Sequence, residues 1–444
     1  MQSIATVWDT AQIWARWLRL GMARRKQRNT DSSSRRLALF AWALPPASNG
    51  GVYRPLSFIQ YGSALGWSID AFHGEVPVEQ SQHGQDLLKQ VPSDVRMHAV
   101  PSSRNHGSYK LTPQIDGGFS NALNTAEIAI ERLSANPPSV VLASGPPFYS
   151  FVSAAFVARH FSVPLVLDYR DEWSECPFDF VDKHRSNREW ESTCLKEAAA
   201  VFFTTQSHLE HQLSRFPVLE SSRCHLIPNG WEASDFAALE RADVRSEMVT
   251  NKITLAHVGT LAGHTPITPF LRAMDALLST NTAHYASVRL KLVGRRTPEV
   301  DRAVKAFPRK DTLELIDHLP KREANKLMTS ADVLVLIASR DLERYLPGKL
   351  FDYLAARRPI LVFGAEGEAS RLVEKLGMGY RVDDDVSPEE FASTLHKLSQ
   401  LQVQQSEETL GHWLEAHRRD VLARRAFGVL DSVLQQHKLH DTQR

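Results

Sequence analysis

The sequence of 444 residues predicts an α/β protein made of two Rossmann-like domains facing across a cleft, preceded by a helical extension. Three observations carry this reading. The chain is longer than one core usually serves, so two domains of about 200 residues each are expected. Short apolar runs bounded by turn residues recur at helical spacings, the pattern of a parallel sheet covered on both faces. The rhythm also starts twice, each time with a strand that runs into a glycine loop and then a helix.

Composition narrows the class further. Hydrophobic residues make up 43% of the chain, as in a folded protein, and 52 Lys and Arg balance 51 Asp and Glu, so bulk charge argues against a general nucleic-acid binder. Cys176, Cys194 and Cys224 are an odd number without Cys-x-x-Cys spacing, which predicts a reducing compartment and neither a disulfide framework nor a zinc site. The 18 histidines form no metal or nucleophilic constellation. No Gly-x-Gly-x-x-Gly or Walker-type loop follows a strand, which disfavours a dinucleotide dehydrogenase or a P-loop enzyme.

The elements follow in order. Residues 1–36 read as an amphipathic extension and a polar linker. Ile4, Val7, Trp8, Ala11, Ala15, Leu18 and Met22 share one helical face flanked by Trp14 and Trp17, with Ile13 and Leu20 off that face and Arg24, Arg25, Lys26 and Arg28 just beyond. No run approaches the ~20 apolar residues of a spanning helix, so the segment reads as an interfacial helix for an anionic surface or, equally, as a helix packed on the protein or a disordered extension. The first domain, 37–235, opens with the apolar run 37–44, the loop Asn49-Gly50-Gly51 and a helix at 53–66. A strand at 68–72 precedes a long irregular stretch, 74–116, of the kind that shapes a functional loop. Strands at 140–144, 164–168 and 199–204 continue the sheet, and 233–246 reads as an exposed crossing segment. The second domain, 250–405, opens with Ile253–Val258 and Gly259-Thr260-Leu-Ala-Gly263, then adds strands at 288–293, 313–316, 332–337, 359–363 and 379–382. Residues 406–444 form final helices expected to cross back to the first domain.

The most informative stretch is Tyr345-Leu-Pro-Gly-Lys-Leu-Phe-Asp-Tyr-Leu-Ala-Ala-Arg-Arg-Pro-Ile-Leu361. Amides at the helix start after Pro347 and Gly348 can donate to a diphosphate, Lys349 adds a charge, and Asp352 lies a turn further in. These residues resemble the donor-binding motif of GT-B glycosyltransferases, in particular the retaining family 4, which reads roughly Pro-x-Lys-Leu-x-Glu-Tyr-Leu-Ala and then Pro-Ile/Val-Leu. Ser144-Gly-Pro-Pro-Phe148, Val166-Leu-Asp-Tyr-Arg-Asp-Glu-Trp173 and Ile227-Pro-Asn-Gly230 resemble elements of the bacterial cell-surface polysaccharide sugar transferases of that family. The resemblance spans most of 37–435 and none of the first 35 residues.

The resemblance implies a retaining transferase that moves a sugar from a nucleotide diphosphate donor to a saccharide or lipid-linked acceptor, with no metal or cofactor, by front-face displacement. Donor contacts are expected from Gly259, Thr260, Gly263, Arg295, Leu319, Gly348, Lys349, Leu350 and Asp352, with Arg296 in reserve. Arg295, Lys349 and Asp171 are the expected catalytic residues. Asn49, Gly50, Gly51, Asp168 and Arg170 are expected at the acceptor or the interdomain rim. Asp352 replaces the second of the family's two glutamates, and Arg344 stands where the first would fall, with Glu343 or Asp341 as substitutes. That gap leaves a non-catalytic sugar-nucleotide scaffold, and a sugar-nucleotide epimerase, as alternatives. The expected location is cytoplasmic, peripheral on the membrane through residues 1–28.

Overall fold

The computed structural model describes residues 2–22, 35–77, 84–103, 111–237, 253–280, 288–401 and 407–442. The chain folds as two compact units, Met1–Pro228 with Asp420–Arg444, and Asn229–Arg419. In the first unit, strands β1 (Arg36–Ala41), β2 (Ser68–Gly74), β3 (Arg96–Val100), β4 (Val140–Gly145), β5 (Leu165–Tyr169), β6 (Ala198–Phe203) and β7 (Cys224–Leu226) form a seven-stranded sheet in the order 3-2-1-4-5-6-7. Every pair is parallel, and β1 lies between β2 and β4 with Leu37 opposite both Ile69 and Val140. Strand order reverses at β1 and β4. The loops leaving their carboxyl ends, which carry Asn49 to Gly51 and Gly145 to Pro147, therefore sit at the switch point where open α/β sheets bind ligands.

The second unit repeats the plan with β8 (Thr254–Val258), β9 (Arg289–Val293), β10 (Leu313–Ile316), β11 (Val333–Ala338), β12 (Ile360–Gly364) and β13 (Gly379–Val382), in the order 10-9-8-11-12-13 and again all parallel. Its switch point falls between β8 and β11, under the Gly259 loop. Central strands such as Val-Leu-Val-Leu-Ile in β11 are buried on both faces, which is why they read as continuous apolar runs.

Two strands were not visible in the sequence pattern. The stretch expected to be irregular, 74–116, contains the short helix Gln85–Leu88 and β3, while 78–83 and 104–110 lie outside the described residues. β3 reads Arg-Met-His-Ala-Val and is half exposed, because an edge strand with one neighbour need not be apolar. β7 is only three residues long. Of the expected crossing segment, Ser234–Ala237 form a short helix and the remainder falls within 238–252, outside the described residues, as do linker residues 23–34.

The last helix, Arg419–Thr442, packs into the first unit. Ala426, Phe427, Leu430 and Val433 join the core containing β1, β2 and Trp67, and Arg35 pairs with Asp431 at 2.9 Å. Phe427 lies so close to Gly62 that a Cβ there would stand 2.1 Å from its ring, so only glycine admits this crossing.

The N-terminal helix, Gln2–Met22, docks by a different face from the one its pattern predicts. Ile13 and Leu20 are buried, Trp17 packs edge-on to Phe119 at 5.5 Å and beside Trp190 at 5.7 Å, and Arg16 and Arg19 both reach Glu127. The residues expected off the apolar face thus hold the helix, because the aromatic shelf that receives it is built by distant chain. Ala11, Trp14, Ala15 and Leu18 stay exposed, Leu18 by 57%. The side chains of Ile4, Val7, Trp8 and Met22, and the basic residues from Arg24 to Arg28, lie outside the described residues.

Candidate functional site

In the second unit, the loop leaving β8 and the start of helix Gly348–Ala356 come together. Gly259 has φ +144° and donates to the Val293 carbonyl at 2.8 Å, and a Cβ on it would stand 3.0 Å from Cε and Nζ of Lys349. Glycine is required there both by its backbone and by the lysine lying over it. Nζ of Lys349 lies 3.2 Å from His257 Nε2 and donates to the Thr260 carbonyl at 3.3 Å. Burial pushes the ammonium down to about 8.

Leu350 is wholly buried in the core, and its amide donates to the Pro347 carbonyl at 2.9 Å, so its predicted donor contact is corrected to a packing role. The amides of Gly348 and Lys349 are left as the donors that the first helical turn cannot satisfy. Gly348 and Gly263 have open space where a Cβ would go, unlike Gly259. Leu319 is partly buried and packs on the core around β8 and β11.

The neighbouring loop brings the predicted cation alongside. Leu261 donates to the Arg295 carbonyl at 3.0 Å, and Gly294, at φ +126°, approaches Gly259 so closely that a Cβ would stand 2.5 Å from the Gly259 oxygen. The Arg295 side chain is exposed. Arg296 is fully occupied, binding Asp301 at 3.0 Å, Asp317 at 2.6 Å and the Gly294 carbonyl at 3.0 Å. It is therefore a tie within the loop and not a reserve phosphate ligand.

Asp352 is buried and already has a cation. Lys321 donates to its Oδ2 at 2.5 Å, while its buried Oδ1 has no hydrogen-bond partner among the described residues. Any ligand hydroxyl donating to this carboxylate has to compete with or join that pair. Asp352→Asn is expected to weaken nucleotide binding by removing the acceptor charge; unchanged affinity in calorimetry would remove Asp352 from the ribose site. Both substitutes for the first glutamate are exposed; Glu343 lines a small cavity with Ser339, Pro347 and Gly367 and pairs with Arg344 at 3.0 Å, and Asp341 lies on the preceding turn.

In the first unit the acidic cluster separates into two roles. Asp168, completely buried, accepts from Nε of Arg54 at 3.0 Å, from Nη2 at 2.6 Å and from Ser144 at 2.7 Å. Arg170 donates to the carbonyls of Gly51 at 2.7 Å, Gly145 at 3.0 Å and Pro146. Of the two roles expected for Asp168 and Arg170, these contacts favour the structural one over the ligand one: their polar atoms are spent inside the protein, where Arg170 ties the two switch-point loops together. Asn49 closes its loop by accepting the Gly51 amide at 3.0 Å, and a Cβ on Gly51 would stand 2.6 Å from Arg170 Nη1. Gly50 is exposed and open. Asp171 is partly exposed at the end of the strand, and its carboxyl is raised to about 6 by burial, with Arg170 opposing and Glu172 adding to the shift. The next acids, Glu172 and Glu191, turn inward to His211 at 2.8 Å and to the Ser174 amide at 2.9 Å.

Sequence reasoning missed Arg54, Lys321 and His257. An arginine early in an apolar helix and a histidine inside an apolar strand were the available signals.

Two parallel sheets of seven and six strands, each with a glycine loop at its switch point, make this a GT-B fold. Residues 49–230 match the glycosyl transferase 4-like domain. Among solved structures, the chain is similar to sucrose-phosphate synthase from Thermosynechococcus elongatus (TM-score 0.69, 14% identity, covering 90% of this chain and 100% of that one). It is also similar to Anabaena HepE in complex with UDP-glucose (TM-score 0.64, 13% identity, 89% and 99%). A third is WaaG, a glycosyltransferase involved in lipopolysaccharide biosynthesis (TM-score 0.60, 13% identity, 88% and 98%). No curated relative matches by sequence. The family-model match falls within the first unit and its border, and the resemblance of the motifs to family 4 fits that match and the fold. Among the described residues, no helix is long and apolar enough to cross a membrane, and no group of three or more His, Cys, Asp or Glu is arranged to hold a metal ion.

Proposed function

We propose that the protein transfers a sugar from a nucleotide diphosphate sugar to a saccharide or lipid-linked acceptor with retention at the anomeric carbon. The observation that carries this reading is the Lys349 ammonium held over Gly259 at the start of a helix, where the leading amides have no earlier turn to bond. A nucleoside diphosphate leaving group suits that charge, and HepE, similar in fold, is known with UDP and with UDP-glucose. Lys349, Arg295 and the helix amides stabilise charge on the diphosphate as the glycosidic bond breaks, and the leaving oxygen takes the acceptor proton. Retention rests on the likeness of the motif at 345–361 to family 4. Asp171, the acid of its cluster without an internal partner in the described hydrogen bonds, orients the acceptor hydroxyl, and Glu343 takes the place of the missing first glutamate.

A thermal-shift screen of nucleotides and nucleotide sugars tests the donor class, since a ligand that binds only the folded state raises the midpoint by an amount set by concentration over Kd. The expected result is stabilisation by one nucleoside diphosphate and its sugar, followed by sugar transfer or slow donor hydrolysis. Stabilisation without either reaction would support the scaffold alternative, and an isomerised donor would support the epimerase.

The exposed stripe of Ala11, Trp14, Ala15 and Leu18 on a docked helix supports a second element of the reading, peripheral attachment to an anionic membrane. Leu18→Asp is expected to reduce co-sedimentation with vesicles containing anionic lipid while leaving the melting temperature unchanged. Equal sedimentation of the variant and the parent would move the attachment elsewhere.

A further inference from the structure

His257 sits one residue before the end of β8, is fully buried, and touches Lys349, the ammonium that carries the proposed donor site. Its Nδ1 lies 3.0 Å from the Val335 carbonyl on the neighbouring strand β11. A carbonyl only accepts, so Nδ1 carries the proton and the lone pair of the neutral ring is on Nε2. Burial and the adjacent Lys349 both hold the ring below its ordinary range and keep it neutral. Nε2, 3.2 Å from Lys349 Nζ, is therefore an acceptor for the ammonium. An ammonium has three protons. One goes to Nε2 of His257, one to the Thr260 carbonyl at 3.3 Å, and Gly259 closes the side beneath the lysine stem, so the remaining proton has a defined direction.

We infer that His257 is a positioning residue for the donor diphosphate, holding the Lys349 ammonium in one orientation from beneath through a tautomer set by the Val335 carbonyl. It does not touch the nucleotide itself. The inference rests on the proposed diphosphate role of Lys349 and adds what directs it. A flexible lysine held by two fixed acceptors loses less freedom on binding than one free in solvent, which is the advantage of preorganisation.

The test is a double-mutant cycle with ADP, GDP, UDP and dTDP as probes. The wild type identifies which nucleoside diphosphate binds, and calorimetry with that nucleotide then compares His257→Phe, His257→Gln, Lys349→Ala and the double variant His257→Phe/Lys349→Ala, each checked by melting temperature. His257→Phe is expected to weaken binding on the order of tenfold or more, the scale of one charged hydrogen bond. His257→Gln, whose amide oxygen can still accept from Lys349, is expected to recover part of the loss. In the Lys349→Ala background the phenylalanine change should cost almost nothing, since coupled residues are non-additive. A merely structural histidine gives additive losses and no rescue by glutamine, and either result overturns the inference. If His257→Phe does not fold, additivity is read with His257→Gln instead. Weakened binding in Lys349→Ala with full binding in both histidine variants overturns this inference alone. Binding of none of the four nucleotides, or full binding by Lys349→Ala, overturns the diphosphate reading and this inference with it.

Discussion

Replacing Asp168 with Ala is expected to destabilise the first unit by about 3 to 5 kcal/mol, the cost of leaving one half of a buried ion pair without its partner. The Arg54 guanidinium is 8% exposed and donates to Asp168 through two nitrogens, with its third directed to the Pro228 carbonyl at 2.7 Å. Without the carboxylate, a charge remains in a place water does not reach. Asp168→Asn should cost less, since the amide oxygen can still accept from Arg54 or Ser144. Pairing Asp168→Leu with Arg54→Met should recover most of the loss, because removing both charges also removes their desolvation penalty. Urea unfolding followed by a probe in the first unit measures this. A loss below about 1 kcal/mol in Asp168→Ala would return Asp168 to the ligand role that its motif suggests.

Lys349→Ala is expected to lower kcat/KM for sugar transfer by about 2 to 4 kcal/mol, roughly 30- to 1,000-fold, with little change in melting temperature. The lysine is partly exposed and its alkyl stem only covers Gly259, so little packing is lost. Its charge state makes a separate test. A lysine held down near 8 by burial is charged below that pH and neutral above it, so diphosphate affinity in the parent should fall as pH rises through about 8. In Lys349→Ala that decline should disappear. Near-normal turnover in the variant, or the same decline with pH in both proteins, would separate Lys349 from the diphosphate.

The two αβ halves were legible because their signal is local. A central parallel strand is covered on both faces and is apolar over most of its length, as in Val140 to Ala143 or Val333 to Ile337, and the glycine at its end follows from the turn it makes. The helix Gly348–Ala356 and the lysine at its start were legible for the same reason, since Pro347, Gly348 and Lys349 are consecutive. β3 escaped because an edge strand carries no such demand, and β7 because three residues make no pattern.

By itself the sequence determined the fold class, the two switch-point loops and the lysine at a helix start, all properties of neighbours in the chain. Only the tertiary structure decided which member of each motif is used. Asp168 and Asp171 stand three residues apart in one acidic motif, yet Arg54, 114 positions earlier, claims the first, while the second stays partly exposed with its carboxyl raised to about 6. Phe119 and Trp190 receive Trp17, and Ile13 and Leu20 are buried, which sets the docking face of the first helix. Lys321 meets Asp352, and His257 meets Lys349, across helices and strands 31 and 92 residues apart. Burial and pairing depend on what packs against a side chain, and that partner is supplied by remote chain, so local spacing carries the element and only the packed structure assigns its charge.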